Sequence, residues 1–140
     1  MLKKTLVSVV VSLGLVSSLS ADSLKGKMDM MANSMSSIQY AYLANNREMA
    51  IQALAGLKKT VDSALSSEDY IRKMLPKALK QRSSIAINSA RLISENISKI
   101  EAIAVDKKTS AIKREMKAQE AFANIQEQCF RCHNLVRDWK

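Results

Sequence analysis

The feature that most constrains the fold is a repeat of apolar residues spaced alternately four and three positions apart. Its first run lies on one face of a helix and consists of Leu24, Met28, Met31, Met35, Ile38 and Tyr42. A helix with one apolar stripe of this kind packs that stripe against other helices. The run therefore predicts a first helix over residues 23–45, which ends at the paired asparagines Asn45 and Asn46.

The same spacing continues in the next segment, after Asn46. Asn46 is a favoured N-cap residue and Glu48 lies in the first turn, so a second helix is predicted over 47–65. Its inward face consists of Ala50, Leu54, Leu57, Val61 and Ala64. The serines and acidic residues over 66–69 form another N-cap pattern, which predicts a short, interrupted helical piece over 68–75.

Two longer helices are predicted in the second half of the chain. Pro76 suits a first helical turn, so the third helix is predicted to begin there and run to about residue 103. Its inward residues are Leu79, Ala86, Ala90, Ile93, Ile97, Ile100 and Ala104. A fourth helix is predicted to begin near Thr109. It carries Ile112, Met116, Phe122, Ile125 and Cys129 inward.

The shortage of turn-forming residues supports an all-helical fold. Only two glycines and one proline remain after residue 20, too few for the many hairpins of a β-sandwich or barrel. Four helices joined by short loops favour an antiparallel four-helix bundle. The predicted fold class is therefore all-α, with one domain over residues 22–140.

Residues 1–21 have the pattern of a secretory signal peptide. Lys3 and Lys4 precede an apolar stretch from Leu6 to about Val16, and small residues follow up to Ala21. The alternative is an uncleaved anchor, but the stretch is shorter than the roughly 20 residues that span a bilayer. We expect an exported, periplasmic protein with no stable membrane insertion after cleavage. Its charge is then +7, from 20 basic and 13 acidic residues.

One pentapeptide near the C-terminus carries the chemistry: Cys129-Phe130-Arg131-Cys132-His133. This C-x-x-C-H pattern is the attachment signature of c-type haem. Two thiols three positions apart add to the two vinyl groups of the porphyrin, and the following imidazole is the proximal iron ligand. The alternatives are a redox disulfide, which lacks a βαβ context, and a zinc site, which needs a fourth ligand. The sequence therefore predicts one covalent haem c, bound through Cys129, Cys132 and His133.

A helical chain with a single C-x-x-C-H motif close to its C-terminus resembles the cytochrome c-prime family. The resemblance covers the architecture of residues 22–140, and in sequence it is strong only over about 129–139. It implies that Arg137, four residues after the haem histidine, contacts the haem pocket. The alternative, from its position one turn beyond His133, is a solvated side chain. The Asn-Leu-Val segment between His133 and Arg137 departs from the family's commoner acidic pair.

The resemblance also implies that the first helix covers the distal side of the iron, where family members differ in function. A methionine ligand there gives an electron carrier. An apolar residue leaves five-coordinate, high-spin iron that binds nitric oxide or carbon monoxide. Met28 is the first choice for the distal ligand, because it lies early in a helix antiparallel to the last one. Met31, one turn further, is the second choice, and packing in the core is the alternative for both.

Function as an electron carrier rather than an enzyme is expected, because no second histidine or carboxylate pair accompanies the motif. The densest basic segment contains Arg72, Lys73, Lys77, Lys80 and Arg82. It predicts either a solvated face or a functional one, in which one or two of these cations hold a haem propionate and the rest attract acidic redox partner proteins. Nucleic acid is not expected as a partner, because the protein is exported and has few aromatic residues. The resemblance leaves open a homodimer formed through a helix face.

Overall fold

The computed structural model describes residues 23–136, and within that range the secondary structure is entirely helical, with no strand. The prediction of an all-α chain is confirmed. Five α-helices and one 3₁₀ helix follow one another in the described range. They are α1 (Leu24–Leu43), α2 (Arg47–Ala64), α3 (Glu68–Met74), a 3₁₀ helix (Lys77–Arg82), α4 (Ser83–Val105) and α5 (Ala111–Val136).

The first three helices begin at polar side chains that cap them. Ser23 Oγ accepts a hydrogen bond from the backbone N–H of Gly26, Asn46 Oδ1 from that of Met49, and Ser67 Oγ from that of Tyr70. Each bond satisfies one of the N–H groups that lack a partner in a helix's first turn. The predicted limits of the first two helices and of the short third segment are thus confirmed to within two residues.

The start of the predicted third helix is wrong. A 3₁₀ helix occupies Lys77–Arg82, and α4 begins only at Ser83. Proline removes a backbone donor and holds the preceding Leu75 in an extended conformation, so the chain turns here before a regular helix forms. Leu79 accordingly lies outside the buried core, whereas Ala86, Ala90 and the inward isoleucines of α4 are buried as predicted.

The first turns of α5 also differ from the prediction. Ile112 and Met116 are 76% and 64% exposed, so their assignment to the core is wrong. The inward stripe of α5 contains the small residues Ala118 and Ala121 near its start and continues through Phe122, Ile125, Gln128, Cys132 and Val136. The largest apolar side chains at the start of this helix therefore face solvent.

The helices pack as two hairpins around one core. The most extensive helix contacts join α1 with α2 and α4 with α5, and fewer join α2 with α4. Lys27 near the start of α1 donates to the carbonyl of Ser63 at the end of α2, at 3.0 Å. Arg82, just before α4, donates to the carbonyl of Leu135 at the end of α5, at 2.7 Å. Each hairpin is therefore antiparallel, an arrangement compatible with a helical bundle.

Candidate functional site

The last two turns of α5 bring the C-x-x-C-H residues to one side of the helix. Cys132 is buried, and Cys129 and His133 are half-buried. Residues three and four positions apart lie on the same helical face, so Cys129 has both Cys132 and His133 as neighbours along it. Both cysteines are free thiols. The helix thus presents two sulfur atoms and one imidazole together.

Burial keeps both thiols in the protonated form at neutral pH. Desolvation raises the pKa of Cys129, and it raises that of Cys132 to about 11, with a smaller contribution from the neighbouring Cys129. A charged thiolate is disfavoured in such surroundings. The two cysteines are consequently not activated nucleophiles in the absence of another group.

Two adjoining cavities lie beside these residues. One has a volume of about 310 Å³ and the other about 500 Å³, which are sizes typical of small-molecule and cofactor sites. Five residues line both cavities and so form a shared wall: Met28, Ala32, Leu65, Cys132 and His133. We call the two cavities together the cleft. Its walls are mostly apolar, and its sulfur and nitrogen atoms come from α1 and α5.

The methionines of α1 differ in their relation to the cleft. Met28 lies on the shared wall, whereas Met31 and Met35 line only the smaller cavity. Met30 is 47% exposed and lines a separate surface groove between α1 and α2. Among the α1 methionines, Met28 is therefore the one that shares both cavities with His133.

The cleft lies between α1 and α5, and these two helices make few close backbone contacts. Toward the end of α1 the rings of Tyr42 and Phe122 pack together, with centroids 5.6 Å apart. The cleft lies nearer the start of α1 and the end of α5, around Met28 and His133. The two helices are thus joined by side chains at one level and separated by the cleft at another.

Several residues of the cleft were not found by sequence reasoning. Leu65 comes from the residue after α2, and Lys25 lies on the wall of the larger cavity, where its ammonium pairs with Asp29 at 2.7 Å. Ser89 and Gln128 line the smaller cavity and are both buried. For a polar residue within an apolar helical stripe, the sequence does not show whether its side chain faces a cavity or the backbone of a neighbouring helix.

None of the basic residues between Arg72 and Arg82 is among the described residues that line the cleft, although Met74, Leu75 and Pro76 of the same segment line its larger cavity. Arg72 instead binds the carboxylate of Glu68 at 2.7 Å, and Arg82 binds a backbone carbonyl of α5. Arg82 thus joins the 3₁₀ helix to α5, whereas Arg72 pairs with a carboxylate of its own helix and reaches Ser83 of α4. The cation on the cleft wall is Lys25.

Within the described range, no three His, Cys, Asp or Glu side chains are grouped as ligands of a metal ion. No helix of residues 23–136 is long and apolar enough to cross a membrane. The predicted signal peptide over 1–21 and the predicted haem contact Arg137 lie outside the described residues. No protein-family model, curated protein or solved structure matches this chain.

Proposed function

We propose that this chain is a periplasmic monohaem c-type cytochrome that carries electrons, with His133 as the proximal and Met28 as the distal iron ligand. The proposed arrangement is an antiparallel four-helix bundle like that of the cytochrome c-prime family, with haem c near the end of α5. One observation carries the proposal. Cys129, Cys132 and His133 line a cleft whose shared wall includes both His133 and Met28 of α1.

The residues of the cleft fit a haem in their chemistry. Thioether sulfur and imidazole nitrogen are both axial ligands of haem iron, and the chain offers one of each on the shared wall. Ala32 and Leu65 add apolar surface suited to a porphyrin face. Lys25 on the wall of the larger cavity is paired with Asp29, which lines the same cavity, so the pair adds no net positive charge there.

The thiols of Cys129 and Cys132 act by addition. Each S–H would add across one vinyl C=C bond of the haem, with sulfur bonding to one carbon and the proton going to the other, so no oxidant would be consumed. His133 would hold iron through a ring nitrogen, and Met28 through its sulfur. When bound, the haem supplies a one-electron change at iron, and the apolar walls limit access of water to it.

Export and partners complete the proposal. A cleaved leader over 1–21 would place the chain in the periplasm, an expectation that rests on the sequence. The charge of +7 on residues 22–140 favours encounter with acidic redox proteins through electrostatic steering. A homodimer through a helix face is compatible with this role, and no nucleic acid is expected to bind.

An absorption spectrum and an intact mass of the exported protein test the proposal. We expect a coloured protein whose mass includes one haem, and a low-spin oxidised spectrum with a sulfur-to-iron charge-transfer band. Replacing either Cys129 or Cys132 by alanine should weaken covalent retention of the pigment. A wild-type protein without attached haem would refute the proposal.

The distal ligand is tested by replacing single methionines of α1. Met28→Ala should convert the low-spin spectrum to a high-spin one, while Met30→Ala, on the same helix but outside the cleft, should leave it unchanged. Conversion by Met31→Ala instead would move the ligand by one turn. A wild-type protein that is already high-spin and binds carbon monoxide when reduced would favour the five-coordinate, gas-binding alternative.

A further inference from the structure

Exposed apolar side chains are concentrated at the end of the molecule opposite the cleft. Two segments, 40–51 and 105–117, contain the turns of both hairpins, and we call this end the tip. The tip has 25 of the 114 described residues but seven of the eleven large apolar side chains that are exposed in that range. The most exposed of the seven are Tyr40, Leu43, Val105, Ile112 and Met116. A surface that meets only water rarely collects so many apolar side chains in one place.

One cavity shows that the two turns of the tip adjoin. It has a volume of about 170 Å³, and residues of both hairpins line it. Ile51 is one of these residues. Leu43, Val105, Ile112 and Met116 each directly follow a residue that lines it. The exposed apolar residues of the two hairpins thus lie within one position of the same cavity and belong to one surface.

The apolar side chains nearest the two turns have little protein around them. Leu43 is 81% exposed, Ile112 is 76% exposed and Val105 is 75% exposed. A specific protein–protein interface needs closely packed, complementary surfaces, and side chains this exposed offer no preformed pocket for a partner. The interfacial layer of a lipid bilayer needs no such complementarity and takes up single apolar side chains.

The charge of the tip is complementary to an anionic surface. The two segments contain six basic and three acidic residues, a net charge of +3. Lys107, Lys108, Lys113 and Lys117 are exposed, and no carboxylate within residues 23–136 forms an ion pair with them. A second copy of this chain is disfavoured as the partner, because a twofold contact would place the same positive surface against itself.

We infer that the tip docks the protein on an anionic phospholipid surface, with Leu43, Val105 and Ile112 in the interfacial layer and the lysines beside them near the lipid phosphates. Apolar burial and attraction to anionic lipids are the two contributions that hold a protein at the face of a bilayer. Met116 and His133 are 17 residues apart on α5, about 25 Å along its axis. A docked chain therefore presents the cleft away from the lipid.

Flotation with phospholipid vesicles tests the docking on the protein as purified after export. We expect binding to vesicles of phosphatidylglycerol and phosphatidylcholine in equal parts, and little binding to phosphatidylcholine alone. Leu43→Ser, Val105→Ser and Ile112→Ser should each weaken binding about tenfold, because each removes one apolar side chain from the interface. Met30→Ser, at an exposed methionine outside the tip, is the matched control and should leave binding unchanged.

The lysines are tested in the same assay. Replacing Lys107, Lys108 or Lys113 by glutamine should weaken binding about fivefold per lysine, and added salt should weaken the binding of the wild type. Lys59→Gln, at an exposed position on the surface groove that also contains Met30, is the control. All of these positions are exposed, so urea unfolding should be nearly the same for every variant, and lost binding is then not lost folding.

Three results would overturn the inference. The first is a wild type that does not float, or that floats equally with neutral vesicles. The second is a set of tip variants that bind as well as Met30→Ser, which would assign the binding to another surface. The third is a wild-type dimer that the tip substitutions dissociate in sedimentation, without vesicle binding, which would make the tip an interface between two copies.

The outcome is separate from that of the proposed function, because no readout uses the haem. A chain without haem that binds anionic vesicles through the tip refutes the proposed function alone. A haem-bearing chain that does not bind these vesicles refutes the docking alone.

Discussion

Replacing Leu65 by alanine measures whether a bound group fills the cleft. Leu65 is 7% exposed and lies on the shared wall, whereas Leu57 is 1% exposed and lines neither cavity. Loss of three carbon atoms costs about 2.4 kcal/mol in transfer free energy at either position. At Leu57 the surrounding core leaves an added cavity, which brings the expected cost to about 4 kcal/mol. At Leu65 that added cost arises only if the cleft is filled.

The assay compares the free energy of unfolding in haem-loaded and haem-free protein. Leu65→Ala should cost about 4 kcal/mol in the loaded chain and about 2.5 kcal/mol in a haem-free chain, made by replacing Cys129 and Cys132 with serine. Leu57→Ala should cost the same in both backgrounds. Equal costs of Leu65→Ala in the two backgrounds would refute the reasoning, because the bound group would then not pack against the shared wall.

Two further predictions concern the contacts that hold α4 in place. Hydrogen bonds, first from Ser83 and then from Arg72, lower the pKa of Glu68 below its ordinary value of 4.5 in the folded chain. Its stabilising contribution is therefore complete above that value and lost as the pH falls through the folded pKa. Glu68→Gln should thus lose less thermal stability than the wild type when the pH is lowered from about 5 to about 3; an equal loss would contradict this. Arg82→Gln removes the bond to the carbonyl of Leu135 and should cost about 1 kcal/mol in urea unfolding, with faster hydrogen exchange in the last turn of α5; unchanged exchange there would contradict it.

The helices of the first hairpin could be predicted almost completely from sequence. The four-and-three spacing and the cap Asn46 are local signals, so they need no knowledge of the neighbouring helix. The same holds for the all-α class, which follows from the shortage of glycine and proline. Local rules performed well here because α1 and α2 each have one apolar face and one polar face.

The start of α5 shows where local signals stop. Ile112 and Met116 fit a helical stripe by spacing, but the small residues Ala118 and Ala121 are the ones that pack inward. Apolar residues at several positions allow more than one stripe on the same helix, and hydrophobicity alone does not choose between them. The facing helix decides which stripe packs inward. Because α4 and α5 are in close contact, the interface has room only for small side chains such as alanine.

The site itself could be predicted in part. The motif identifies the residues of the site, but it does not show which side chains surround them. Cys129, Cys132 and His133 follow from a pattern of five residues, and the structure adds which side chains face them. Ser89 and Gln128 carry no motif, and only the structure shows that both are buried on the wall of the smaller cavity. The sequence gives no sign of the position of Leu65 either, because it lies just past the end of α2, outside the helical stripe, and yet lines both cavities.

The shape of the cleft gives a physical reason for a prosthetic group at this level of the chain. Two antiparallel hairpins with single apolar faces would ordinarily close fully, because each gap costs dispersion contacts and exposes apolar surface. The α1 and α5 helices make few close backbone contacts, the cleft lies beside Met28 and His133, and Tyr42 and Phe122 pack together elsewhere. A gap of this kind, lined by apolar residues and by sulfur and imidazole groups, is stable when a flat apolar ligand replaces the missing helix contacts. In the proposed cytochrome, covalent attachment through the cysteines would make that replacement permanent.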